Sequence, residues 1–120
     1  MKKIMIVEEN ELNIDLLVQL LEDEYELITA LNGAEAVKLA AQEIPDLILM
    51  DMAMPVMDGW EATRRIKAQD ALREIPIIGL SSYAMVGDAE KALDAGCDDY
   101  LTKPLDEDLL FEKLNNFLKG

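Results

Sequence analysis

Histidine is absent from this chain. That removes the usual general base near neutral pH, the commonest metal ligand and any place for a phosphohistidine within the chain. One cysteine, Cys97, permits no internal disulfide and fits a reducing cytoplasm; it reads as a buried small hydrophobe near a helix end. Bases are scarce: 11 Lys and Arg stand against 25 Asp and Glu, a formal net charge of −14. Such a surface repels phosphate backbones and anionic lipid, so neither nucleic acid nor membrane is an expected partner. No apolar run approaches the roughly 20 residues that span a bilayer. The start, MKKIMIVEEN, lacks the apolar region and cleavage site of a signal peptide. Repeats, low-complexity segments and linkers are missing as well. What remains is one expected domain, residues 1–120, with 51% hydrophobic residues, enough for one core.

The chain is organised around residues 46–59, DLILMDMAMPVMDG. Leu47 to Met50 form an unbroken apolar run, the pattern of a strand buried on both faces in a parallel sheet. Asp51 follows at once, and then a loop punctuated by Pro55 and Gly59. Asp51 is therefore expected at the carboxyl end of a central strand, the edge where open α/β sheets bind ligands. An acid held there is a candidate nucleophile or metal ligand.

The flanking chain supplies four more strand–helix units. Residues 3–7 form a second apolar run that also ends in acids, Glu8 and Glu9. Asn10 can cap the next helix, with Glu11 in its first turn and Leu12, Leu16, Leu17, Leu20 and Leu21 as one apolar stripe. Residues 25–30 read as a short, less central strand. Asn32 and Gly33 turn into a helix whose buried side is Ala36, Val37, Leu39, Ala40 and Ile44, stopped by Pro45. A helix runs from Asp58 and Gly59 to about Gln69, with Ala62, Ile66 and Trp60 inward. Residues 75–80 form a strand ending in Ser81 and Ser82. Residues 87–95 form a short polar helix carrying Gly87 and closed by Gly96. Residues 99–103 are the last strand, ended by Pro104, and residues 106–119 a helix packing through Leu109, Leu110, Leu114, Phe117 and Leu118. Leu105, Leu109 and Phe117 are read as core rather than as a dimer contact. Five strand–helix units joined by right-handed crossovers give one parallel sheet covered on both faces.

Because all strands point one way, Glu8, Glu9, Asp51, Ser81 and Lys103 converge on one edge. Packed carboxylates raise one another's proton affinity unless a cation sits among them, and hard oxygen ligands of this kind suit Mg²⁺. An acidic patch on an acidic protein is the plain alternative. Lys103 and Ser81 favour chemistry, since an ammonium and a hydroxyl can hold two oxygens of a phosphoryl group while Asp51 attacks phosphorus.

The fragments IMIVEEN, LILMDMAMPVMDG, PIIGLSS and AGCDDYLTKP, in this order, resemble the receiver domain of two-component response regulators over essentially the whole chain. The resemblance implies a flavodoxin-like (βα)5 doubly wound sheet of order 2-1-3-4-5. It implies Asp51 as phosphoacceptor, and Glu8, Glu9, Asp51 and the carbonyl of Ala53 as Mg²⁺ ligands. It further implies Ser81 and Tyr100 as switch residues, Lys103 as the phosphoryl-binding lysine and a cis bond before Pro104. The implied phosphodonor is a sensor histidine kinase or histidine phosphotransfer protein, necessarily another molecule. The implied output is a protein target docking on the fourth helix, last strand and last helix. A stand-alone regulator is expected from the MKK start and compact ending, with a receiver cut from a larger protein as the alternative.

Two positions depart from the family pattern. Glu9 stands where aspartate is usual, one methylene longer, so Mg²⁺ binding is expected to survive in weaker form. Ala53 and Tyr83, two residues past Asp51 and Ser81, offer little to orient a hydrolytic water, so slow self-dephosphorylation is expected. Glu9 also keeps open a receiver-like module that binds without phosphorylation. A haloacid-dehalogenase-type phosphatase needs an acid at position 53, and a flavin binder needs a phosphate loop after the first strand; neither is present.

Overall fold

The computed structural model describes residues 1–54, 56–81 and 88–118. Five parallel strands form one sheet: β1 (Lys3–Val7), β2 (Glu26–Ala30), β3 (Leu47–Asp51), β4 (Ile77–Ser81) and β5 (Asp99–Thr102), in the order β2-β1-β3-β4-β5. This is the flavodoxin-like order that the family resemblance implies. The central positions of β1 and β3 follow from their composition. The runs Ile4–Val7 and Leu47–Met50 are fully buried, and such strands are stable only with helices on both sides. β2 begins with exposed Glu26 and takes an edge.

Helices α1 (Glu11–Leu21) and α5 (Glu107–Leu118) cover one face through Leu17, Leu21, Leu110 and Leu114. Helices α2 (Gly33–Glu43) and α3 (Gly59–Lys67) cover the other through Ala36, Ala40, Ala62 and Ile66. α4 (Asp88–Ala95) lies against α3, with the Lys91 ammonium 3.9 Å from the centre of the Trp60 ring. Side-chain oxygens of Asn10, Asn32, Asp58 and Asp106 accept N–H bonds at the starts of α1, α2, α3 and α5. Each such cap stabilises by about 1 kcal/mol. No described helix is long and apolar enough to cross a membrane.

The sequence reading needs correction at several helix faces. Leu12 and Leu16 are 78% and 53% exposed, because α1 buries only the arc around Leu17 and Leu21. Ile44 is exposed rather than buried: it leaves α2 in the left-handed region (φ 44°), which turns its side chain outward. Leu109 is exposed beside buried Leu110, whereas Leu105 and Phe117 pack partly against the α1–α5 core. A 3₁₀ turn (Asp70–Leu72) follows α3, and β4 starts at Ile77, not Ile75. Gly96 closes α4 at φ 111°, as expected. Pro55, Ser82, Tyr83, Gly87 and Lys119 lie outside the described residues.

Candidate functional site

Backbone bonds that run one residue past the paired strands build the carboxyl edge. Glu8 N–H donates to the Ala30 carbonyl at 3.0 Å, beyond β1. Met52 N–H donates to the Leu80 carbonyl at 2.9 Å, fixing the chain just after Asp51. Lys103 N–H donates to the Ser81 carbonyl at 2.7 Å, beyond β5. Glu8 and Asp51 thus leave rigid, central strands, while Lys103 is delivered from the sheet edge by its backbone bond to β4.

The side chains meet. Lys103 Nζ lies 2.7 Å from Glu8 Oε2 and 3.4 Å from Asp51 Oδ2. Strand alternation explains the meeting: Glu8 continues the face of Ile4 and Ile6, Asp51 that of Leu47 and Leu49, and Lys103 that of Leu101. Glu8 and Asp51 are only 2% and 4% exposed. Asp51 Oδ1 accepts the Ala53 N–H at 3.1 Å, and Glu8 Oε1 accepts the Asn10 N–H at 3.3 Å and the Asn13 amide at 3.4 Å. The Lys103–Pro104 bond is cis. Beside the cluster a cleft of about 150 Å³ opens between α1 and the segment after β5, lined by Asn13, Leu16, Lys103 and Leu105 among others.

One ammonium cannot fully balance two buried carboxylates. Burial pushes the Asp51 carboxyl up to about 6, and the negative charge of Glu8 pushes the same way, against the pull of Lys103 and the Ala53 N–H. A further cation would relieve this excess. The donors at hand are all hard oxygens, and Mg²⁺ is commonly held by one or two carboxylates with waters completing its shell. The donor set fits that ion. Glu8, Asp51 and the carbonyl of Ala53 are the groups that would hold it, with exposed Glu9 beside them.

One expected ligand stands apart from the buried pair. Glu9 is exposed, and among the described residues no group of three acids is arranged to hold a metal. The reason is positional: Glu9 follows Glu8 where the chain leaves the sheet, off the face that Glu8 continues. Ser81 is buried at the end of β4, one residue past the register partner of Asp51. Tyr100 pairs with Gly79. A Cβ on Gly79 would lie 3.4 Å from the Tyr100 ring, so the missing side chain lets the ring settle against β4. Sequence reasoning missed Asn13 as a partner of Glu8. Its spacing of three from the cap Asn10 is the signal that was there to be read.

The family model of the response regulator receiver domain matches residues 4–115. The chain is 43% identical over 118 residues to the polar-differentiation response regulator DivK of Brucella anthropi, covering 98% of this chain and 96% of that protein. Among solved structures it is similar to the receiver domain of the sensor histidine kinase PA1611 from Pseudomonas aeruginosa, which has a magnesium ion coordinated in its active-site cleft. That match has a TM-score of 0.92 and 38% identity over 99% of this chain and 98% of that one. It also resembles the signal receiver domain of a histidine kinase from Syntrophus aciditrophicus, with a TM-score of 0.92 and 36% identity over 100% and 92% of the two chains.

Proposed function

The chain belongs to the response regulator receiver family, and from that premise we propose that it accepts a phosphoryl group on Asp51 and thereby switches a protein-binding face. The donor is a phosphohistidine on a sensor histidine kinase or a phosphotransfer protein. The P–N bond of the donor breaks as an Asp51 carboxylate oxygen bonds to phosphorus, and the leaving imidazole keeps the bonding pair. Mg²⁺, when bound, neutralises charge on the transferring group. The rest falls to the protein: Lys103 holds one phosphoryl oxygen, Ser81 donates to another, and the Ala53 N–H steadies Asp51.

The observation that carries this reading is Lys103 Nζ between the buried carboxylates of Glu8 and Asp51. A lysine 3.4 Å from the acceptor oxygen is within reach of a phosphoryl group attached there. Release of Lys103 from Glu8 toward the phosphoryl group is the first step of the switch. The second passes through Ser81, which is drawn toward the phosphate, while Tyr100 on the neighbouring strand turns inward. The readout surface is α4, β5 and α5, where a protein target docks. Turnover is slow, because the methyl side chain of Ala53 cannot orient a hydrolytic water. The reading sets the protein in the cytoplasm, where a free thiol such as Cys97 persists.

Intact mass after incubation with Mg²⁺ and acetyl phosphate tests the proposal. A gain of one phosphoryl group in the wild type, absent in Asp51→Asn, is expected. No gain at all would point instead to a module that binds its partner without phosphorylation. Ala53→Asn is expected to shorten the life of the phosphorylated form; an unchanged decay would refute the account of turnover.

A further inference from the structure

We propose that Asn13 is a positioning residue for this cluster: its side-chain amide fixes the Glu8 carboxylate so that one oxygen faces α1 and the other faces Lys103. The inference rests on the reading of Asp51 as a phosphoacceptor assisted by Mg²⁺.

A helix start leaves backbone N–H groups without partners. In the usual reciprocal arrangement the cap residue's side chain accepts the N–H three residues on, and an acid at that third position reaches back to the cap's own N–H. Here only the first half is present. Asn10 Oδ1 accepts the Asn13 N–H at 3.2 Å. Position 13 carries an amide instead of an acid, so the Asn10 N–H turns to Glu8 Oε1 at 3.3 Å. The Asn13 Nδ2 then donates to that same oxygen at 3.4 Å. Glu8 has taken over the acceptor role that the third helical residue normally fills.

The consequence reaches Asp51. With Oε1 held by two donors from α1, only Oε2 is left for Lys103, at 2.7 Å. Remove the Asn13 amide and Oε1 keeps only the Asn10 N–H, so the carboxylate can turn further toward the ammonium. Lys103 would then be drawn off Asp51, which it already holds at the longer distance of 3.4 Å. An acid at position 13 would be worse, since it would compete for the Asn10 N–H and repel Glu8. The helix itself does not need the Asn13 side chain, because Asn10 Oδ1 also accepts the Leu12 N–H at 2.9 Å. Asn13 lines the same cleft as Glu8 and Lys103, so its amide belongs to the wall of the site.

The test titrates Mg²⁺ alone into the full chain and follows the backbone amide signals of Asp51 and Ala53 by NMR. Asn13→Leu keeps the helix and removes the donor. It is expected to weaken Mg²⁺ binding on the order of tenfold, the usual scale for a group that orients a ligand. Asn13→Gln, which keeps an amide, should recover most of the loss. In a Glu8→Gln background, Asn13→Leu should change affinity by less than about twofold, since the two residues act through one contact. The proposal is overturned if Asn13→Leu binds Mg²⁺ like the wild type while Glu8→Gln does not, or if the two losses multiply in the double variant. A wild type that shows no saturable shift overturns it together with the phosphoacceptor reading, an outcome distinct from the first two. Urea unfolding of Asn13→Leu in EDTA should match the wild type; a loss of stability large enough to account for the weaker binding would also overturn it.

Discussion

Lys103 and Glu8 stand 95 positions apart in the chain, yet Nζ and Oε2 are 2.7 Å apart at the carboxyl edge of the sheet. Glu8 is almost wholly buried, so this lysine is its main charge partner, and Asp51 shares the same ammonium. Removing one member of a buried ion cluster leaves the others uncompensated. Lys103→Met is therefore expected to destabilise the metal-free protein by about 3 kcal/mol at neutral pH. Without the lysine, whose charge holds it down, the Asp51 carboxyl rises further above its unfolded value near 4. The folded state then binds more protons than the unfolded one as pH falls, so the cost should shrink in acid. Urea unfolding in EDTA at pH 7.5 and pH 5 checks this, and an equal cost at both would contradict it.

Asp51 carries a penalty that Asn would not. Its carboxyl titrates at about 6 in the fold, against an ordinary value of 3.8, so its ionisation opposes folding. For a raised carboxyl the penalty is fully present above about pH 6 and vanishes toward pH 4. The difference corresponds to at most about 3 kcal/mol. Asp51→Asn should accordingly stabilise the metal-free protein by about 1–3 kcal/mol at pH 7.5, with the gain fading as pH falls to 4. Mg²⁺ should stabilise the wild type and leave the variant nearly unaffected. Paired denaturation curves across that range, with and without Mg²⁺, measure both effects.

Gly59 is where α3 meets β3. Its N–H donates to the Met52 carbonyl at 3.1 Å, and a Cβ at this position would collide with the carbonyl oxygen of Asp51 and lie 2.7 Å from Met52 Cα. Those are backbone atoms of a central strand and cannot move aside. Gly59→Ala should cost about 2 kcal/mol or more and slow phosphorylation by acetyl phosphate, because relief of the clash displaces Asp51. Normal stability together with a normal phosphorylation rate would show that the contact is slack.

Cys97 is buried and lies 3.8 Å from the Thr63 hydroxyl. Burial pushes its thiol up to about 11, so almost no thiolate exists at neutral pH. An aromatic disulfide reagent at pH 8 should label the native protein slowly and the urea-unfolded protein at once. Stabilising the fold through Asp51→Asn should slow the native labelling further. Fast labelling that ignores global stability would place Cys97 in a locally opening segment.

The sequence revealed most where composition leaves a strand no choice. Buried runs such as Ile4–Val7 and Leu47–Met50 have to lie inside a parallel sheet, and the acids after them must then stand at one edge. Helix faces were less legible. Leu12, Leu16, Ile44 and Leu109 are apolar residues at or beside the buried stripes of their helices, but how wide an arc a helix buries depends on its neighbours and on how the chain leaves it. The 3₁₀ turn after α3 is too short to carry any period.

By itself, then, the order of residues determined the strand–helix alternation, the edge on which chemistry converges, and the acid, hydroxyl and lysine that stand there. Only the tertiary structure decided how they divide. It gave Lys103 to Glu8 and Asp51, left Glu9 in solvent, set Tyr100 opposite Gly79, and tied Glu8 to Asn13. Register and alternation are relations between strands far apart in the chain, and a difference of one residue moves a side chain from one face of the sheet to the other.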